Sequence, residues 1–154
     1  MTITKKRPVT CWLLLCLACF EVISAVPTGL ALSIDPTGGL LNMSLDILAG
    51  SPFRDFRIPG LILLTVLGLG AVLLTIALFL QPTWFWAAFL NPCKRRHWTW
   101  ATTILYGLVL MGWIATQVVM IGFGSWLQPL YFGVGLAFAI LPATPSMRRH
   151  LSLR

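Results

Sequence analysis

The chain has 154 residues, 58% of them hydrophobic and only 10% charged, with eleven Lys and Arg against four Asp and Glu for a net charge of +7. A water-soluble domain of this length leaves a large share of its surface exposed, so this much apolar area has no aqueous home, whereas lipid can cover it. The basic excess does not point to nucleic acid: the cations form short separate clusters, Lys5-Lys6-Arg7, Lys94-Arg95-Arg96 and Arg148-Arg149 with Arg154, rather than one continuous face.

The first apolar run covers about 9–32 and follows a basic cluster, as the core of a secretory signal would. Glu21 interrupts it, and the best cleavage position, Ser24-Ala25-Val26, is followed by Pro27, so the run is expected to persist as a span. Cys11, Cys16 and Cys19 fall inside it and Cys93 falls in a basic loop. Their placement predicts packing residues, with no zinc site and no redox pair.

The loop 33–58 is neither a span nor a short turn. Asp35-Pro36-Thr37-Gly38 has turn chemistry, and Leu40 to Ala49 reads as a short amphipathic helix with Leu41, Leu45 and Leu48 on one face and Asn42 and Asp46 opposite. Ser51-Pro52 then caps a further turn through Phe53 and Phe56, both expected to face inward, that carries Arg54, Asp55 and Arg57 towards the second span.

That second span covers about 59–80, is free of charge and opens on Pro59, whose missing N–H is an orphan in any first turn. A basic segment, 81–98, leads to a third run at about 99–122, and a shorter fourth follows at about 126–141. Four crossings put all three basic clusters on one side, which predicts both termini and 81–98 in the cytoplasm and 33–58 outside. Trp12, Trp84, Trp86, Trp98 and Trp100 then gather at the inner interface and Trp126 at the outer one, where indoles favour the boundary. The expected fold is all-α, a single membrane domain over 1–154: an integral membrane four-helix bundle with an ordered external loop containing a short amphipathic helix.

Glu21 is the one ionisable residue inside a span, and a carboxylate at that depth requires a partner, a wet cavity or a proton. Ser24 and Thr28 share its helical face. Tyr106, Trp113 and Gln117 form a matching stripe on the third span, continuing from Thr103, and Gln128 and Tyr131 begin the fourth at a similar level. These eight residues, Glu21 to Tyr131, either line a ligand or polar cavity or hydrogen-bond the helices to one another. Gln117 is the leading donor to Glu21, with Arg54 or Arg57 from the loop as rivals and Asp55 beside them. Gly68, Ala71 and Thr75 on the second span and Gly112, Ala115 and Gly122 on the third read as packing strips. His97 and His150 lie in basic segments, which does not suit a haem pair, and no metal site is indicated. No phosphate loop, H-E-x-x-H, G-x-S-x-G or paired-carboxylate pattern is present, so enzyme chemistry has no visible carrier and no cofactor is specified.

Four stretches, Ile34-Asp35-Pro36-Thr37-Gly38, Ser51-Pro52-Phe53-Arg54-Asp55-Phe56-Arg57-Ile58-Pro59-Gly60, Trp113-Ile114-Ala115-Thr116-Gln117 and Ser125-Trp126-Leu127-Gln128-Pro129, together resemble a group of small four-span bacterial membrane proteins of unassigned activity. The resemblance covers about residues 20 to 141 and implies a bacterial inner membrane and an assembled loop, but no activity. Three functional classes follow from the residues. The first is an accessory or binding subunit of a larger membrane assembly, partnered by the bilayer, by copies of itself or by other subunits. The second is a membrane protein that binds a lipid- or quinone-type ligand, and the third is a small proton-coupled transporter using Glu21.

Overall fold

The structure is a computed structural model describing residues 7–89, 91 and 96–152. Lys5, Lys6, Cys93, Lys94, Arg95 and Arg154 lie outside the described residues, as does the side chain of Trp86. Among the described residues there is no strand, only an isolated bridge between Arg96 and Ser152. The helices are α1 (Val9–Ile34), α2 (Arg57–Leu80), α3 (Phe85–Phe89), α4 (Trp98–Ile121), α5 (Leu127–Ile140) and α6 (Pro145–His150). Of these α1, α2 and α4 are long and apolar enough to cross a membrane. At 14 residues α5 is about 21 Å long, short of a hydrocarbon core of about 30 Å.

The four longer helices alternate in direction, because their ends are tied in one place. At what is here termed the basic end, Arg7 donates to the Phe79 carbonyl and its guanidinium lies 4.5 Å from the Phe79 ring. The Trp98 indole donates to Pro82 O at 2.8 Å, the Trp100 indole donates to Pro142 O at 2.9 Å, and the Thr10 and Ser146 hydroxyls meet at 3.1 Å. The segment after α5 turns back under this end: the His97 N–H donates to Leu151 O at 2.7 Å, and Met147 and Leu151 are buried. With Cys11, Leu14, Leu74, Leu78 and Phe138 they form a closed apolar floor.

Close approach pairs the helices. A methyl group at Gly29 of α1 would stand 2.6 Å from the Leu64 nitrogen of α2, and one at Gly60 would stand 2.7 Å from the Leu32 side chain, so glycine lets these two backbones touch. The α4–α5 contact is built the same way at Gly107 and Gly135. The expected strip on α4 is a different one: a methyl group at Gly112 or Gly122 would meet nothing within 4 Å among the described residues and Ala115 is exposed, so these three form no helix-packing strip there. On α2 the expectation holds better, with Gly68 and Ala71 buried. Within α2 the residues Leu63–Leu69 wind as a π-helix.

The loop departs from the predicted amphipathic helix. Two short 3-10 turns, Gly39–Leu41 and Leu45–Leu48, replace it, separated by Asn42 in the left-handed conformation at φ 53°. The cause is local capping. The Asp35 carboxylate accepts from the Thr37 hydroxyl at 2.6 Å and from the Leu40 N–H at 2.9 Å, fixing a turn in which Gly38 takes φ 81°, and the Ser44 hydroxyl accepts from the Asp46 N–H to begin the second turn. Leu41 and Leu45 are consequently exposed, while Leu48 and Phe56 are buried against Leu32, with Phe53 and Met43 packed beside them.

Cys16 and Cys19 correct another expectation. They stand at C-x-x-C spacing but are exposed on the outer side of α1, unpaired, while Cys11 is buried in the core.

Candidate functional site

At the end opposite the basic floor the helices and loop surround a cavity of about 650 Å³. The α1 wall consists of Glu21, Ser24, Ala25, Thr28 and Leu32; the α4 wall of Leu110, Trp113, Ile114, Gln117, Met120 and Ile121. Leu63 and Leu67 come from α2, Gln128 and Tyr131 from α5, and Met43, Asp46, Ile47 and Gly50 from the loop. The loop is seated against α4 at Gly50, where a methyl group would collide with the Met120 carbonyl.

Seven of the eight cavity residues expected from the sequence, Glu21, Ser24, Thr28, Trp113, Gln117, Gln128 and Tyr131, line this one space. Tyr106 does not. Its hydroxyl donates to Leu67 O at 2.9 Å and its ring meets Phe138 edge-on at 5.3 Å, so it belongs to the packing that closes the cavity below Leu67 and Leu110. Thr103 is likewise occupied, donating to Thr99 O within α4. Arg54 and Arg57 are exposed and lie off the cavity, and the Asp55 carboxylate accepts from the Arg57 N–H instead.

Glu21 is 1% exposed, and its Oε1 has no hydrogen-bond partner. Neither Gln117, Arg54 nor Arg57 donates to it, which overturns the expected pairing; Gln117 shares the cavity without reaching the carboxyl. The first helix runs from Val9 to Ile34, which leaves Glu21 at its midpoint. The Ser24 hydroxyl donates back to Glu21 O of its own helix at 3.2 Å, so it contributes a polar atom to the wall without serving the carboxyl.

Gln128 has a clear structural task. Its Nε2 donates to Gly122 O and its Oε1 accepts from the Gly124 N–H, both at 3.1 Å, and this pins the turn between α4 and α5 where Gly122 takes φ 76°. Tyr131 stacks on Phe20 of α1 at 5.6 Å, joining α5 to α1 beside the cavity.

The loop contributes Met43, Asp46, Ile47 and Gly50 to the lining; a regular helix over 40–49 would have put Asp46 on its outward side, and the break at Asn42 replaces that helix. No group of three or more His, Cys, Asp or Glu capable of holding a metal ion occurs among the described residues. No protein-family model, curated protein or solved structure matches the chain.

Proposed function

We propose that this chain is a four-span membrane protein of the bacterial inner membrane, with both termini in the cytoplasm, that binds an amphiphilic ligand of lipid or quinone type in the cavity beside Glu21. One observation carries the reading: a carboxyl group buried at mid-helix, unpartnered and bordering a cavity of about 650 Å³. Burying such a group without a donor costs several kcal/mol, about 1–3 even on scales drawn from proteins, and a ligand supplies what the chain withholds. The volume falls within the roughly 300–1,000 Å³ of ordinary ligand pockets, and the lining is mainly apolar with a few polar groups, the usual composition for orienting an amphiphile.

In this reading α5 is the fourth crossing, extended by Leu141–Ala143, and the bilayer thins or the flanking residues reach out to meet it. Arg7 and Arg96, lying over Phe79 and Trp100, anchor the cytoplasmic boundary and Trp126 the outer one. In a background without the native cysteines, a cysteine at Ser44 is expected to react with a membrane-impermeant maleimide from the periplasm and one at Pro145 to be protected; the reverse result refutes the topology.

The ligand is tested by purification in gentle detergent followed by extraction and mass spectrometry. About one amphiphile per chain is expected to survive washing and to be lost in Ser24→Phe, which fills the cavity from its α1 wall. Retention unchanged by that substitution sinks the proposal.

A second reading, the accessory subunit, is favoured by the uncovered small residues Gly112, Ala115 and Gly133, a surface suited to another helix. It gives no role to the cavity and ranks below ligand binding. The transporter reading needs a path to the basic end, where Leu14, Leu78, Phe138 and Met147 close the core.

A further inference from the structure

The cavity differs in charge from the rest of the molecule. The chain carries eleven basic residues and four acidic ones, yet among the described residues no Lys, Arg or His lines the cavity, and two of the four acids do. Glu21 is one, fully buried at the deep wall with Oε1 unpartnered. Asp46 is the other, exposed at the loop wall, its Oδ2 accepting from the Ser44 hydroxyl at 2.8 Å. The remaining polar side chains of the lining are neutral: Ser24, Thr28, Gln117, Ser125, Gln128 and Tyr131. Gln128 has both ends of its amide engaged, and Ser24 donates to its own helix. Nothing in the wall brings a positive charge to Glu21.

Resting on the amphiphile-binding reading, we infer that the head of the ligand is a cation, an amine or quaternary ammonium, which pairs with Glu21 at the deep wall after being drawn in past Asp46. An ammonium is the group that a buried, donorless carboxylate lacks: it compensates the charge where solvent is excluded and the attraction is least screened. The indole of Trp113 lies in the same lining and adds a ring that attracts cations. The apolar body then rests on Leu63, Leu67, Leu110 and Ile114. An anionic or phosphate head would instead face two carboxylates with no basic residue to oppose them. Among the described residues no group of three His, Cys, Asp or Glu gathers to hold a bare metal ion.

The test uses the full chain in phosphatidylcholine nanodiscs and three diazirine probes with the same twelve-carbon tail and a trimethylammonium, a hydroxyl or a phosphate head. Labelled positions are mapped by mass spectrometry. The trimethylammonium probe is expected to label Trp113 and Met120 at least tenfold more than the hydroxyl probe does, relative to the outward-facing Val119. Glu21→Gln, nearly isosteric, should bring that preference within threefold, and Asp46→Asn, on the exposed loop where no core packing is at stake, should lower it at least twofold. Equal labelling of the cavity by all three heads, or a preference that survives both substitutions, overturns the cationic head while leaving amphiphile binding intact. Labelling no stronger at Trp113 and Met120 than at Val119 for any probe overturns both. Should Glu21→Gln lose its helical circular dichroism, the head-group comparison in the unaltered chain and in Asp46→Asn still decides.

Discussion

The substitution Gly107→Ala isolates the close contact between α4 and α5. The added methyl group would stand 2.5 Å from Gly135 O, 2.8 Å from the Ala139 nitrogen and 2.9 Å from the Phe138 Cβ, two of them backbone atoms that no rotamer change can move. Ordinary contact begins at 3.4 Å, so α4 and α5 must separate by about 1 Å. Overpacking of this kind costs about 1–3 kcal/mol. Alanine also favours helix over glycine by up to about 1 kcal/mol, and that gain has to be removed from the comparison. Gly112→Ala removes it: the residue is in the same helix, and a methyl group there meets nothing within 4 Å. Reversible unfolding of both variants in mixed micelles, followed by circular dichroism or steric trapping, should place Gly107→Ala about 1–3 kcal/mol below Gly112→Ala. If Gly107→Ala equals or exceeds Gly112→Ala in stability, the α4–α5 packing described above is wrong.

Tyr106→Phe removes the hydroxyl that donates to Leu67 O and should cost about 0.6 kcal/mol, rising towards about 1.7 if the carbonyl is left bare; the same unfolding assay measures it, and a gain in stability would refute the bond's role. The Asp35 carboxyl is held below its ordinary value of 3.8, first by the Thr37 hydroxyl and then by the Leu40 N–H. The stabilisation of the first loop turn should therefore be complete above that value and disappear as pH falls through the lower folded one, seen as a loss of protection of the Leu40 amide relative to its intrinsic exchange rate; in Asp35→Ala that protection should be absent at every pH. Burial lowers the affinity of His97 for a proton below the ordinary 6.5, and its Nδ1 accepts from the Thr99 N–H to cap α4. The unfolded chain takes up that proton first as pH drops, so stability should decline on acidification through 6.5 towards the folded value, and His97→Asn, which keeps a capping acceptor, should flatten the profile. A slope unchanged in that variant would assign it to another group.

The long helices were legible because hydropathy and the spacing of charge report the solvent each segment needs, and α1, α2 and α4 begin and end within a few residues of their expected bounds. The polar face of α1 and the upper half of the α4 stripe were legible for a related reason: a residue that lipid will not accept must turn inward. What they do once inside was not. Tyr106 and Gln117 are both polar and on one stripe, yet one is consumed by a carbonyl of α2 and the other borders a cavity, a difference set by where the neighbouring backbone runs. The loop was misread because the leucine spacing of 40–49 satisfies a helix, and the local competition from the Asp35 and Ser44 side chains, which breaks it, outweighs that spacing. Gly107 and Gly112 are equally small residues on α4, and the choice between them is made by Gly135 on another helix.

The π-helical winding of Leu63–Leu69 means that α2 is sensitive to its number of residues and not only to their kind. Gly60 must face Leu32 on one side of that segment, and Ala71, Leu74 and Leu78 must face the core on the other, while Leu67 in between presents its carbonyl to Tyr106. Each residue of a helix carries about 100° of rotation and 1.5 Å of rise. Deleting a single apolar residue from the α-helical turns beside this segment would leave composition and hydropathy nearly untouched, yet it would swing one half of α2 away from its neighbours, whereas a deletion inside the π-helical segment lets the winding relax to α and keeps both halves in register. A length change of one in α2 is thus a lesion, or a harmless one, by its position alone, which no substitution table would register.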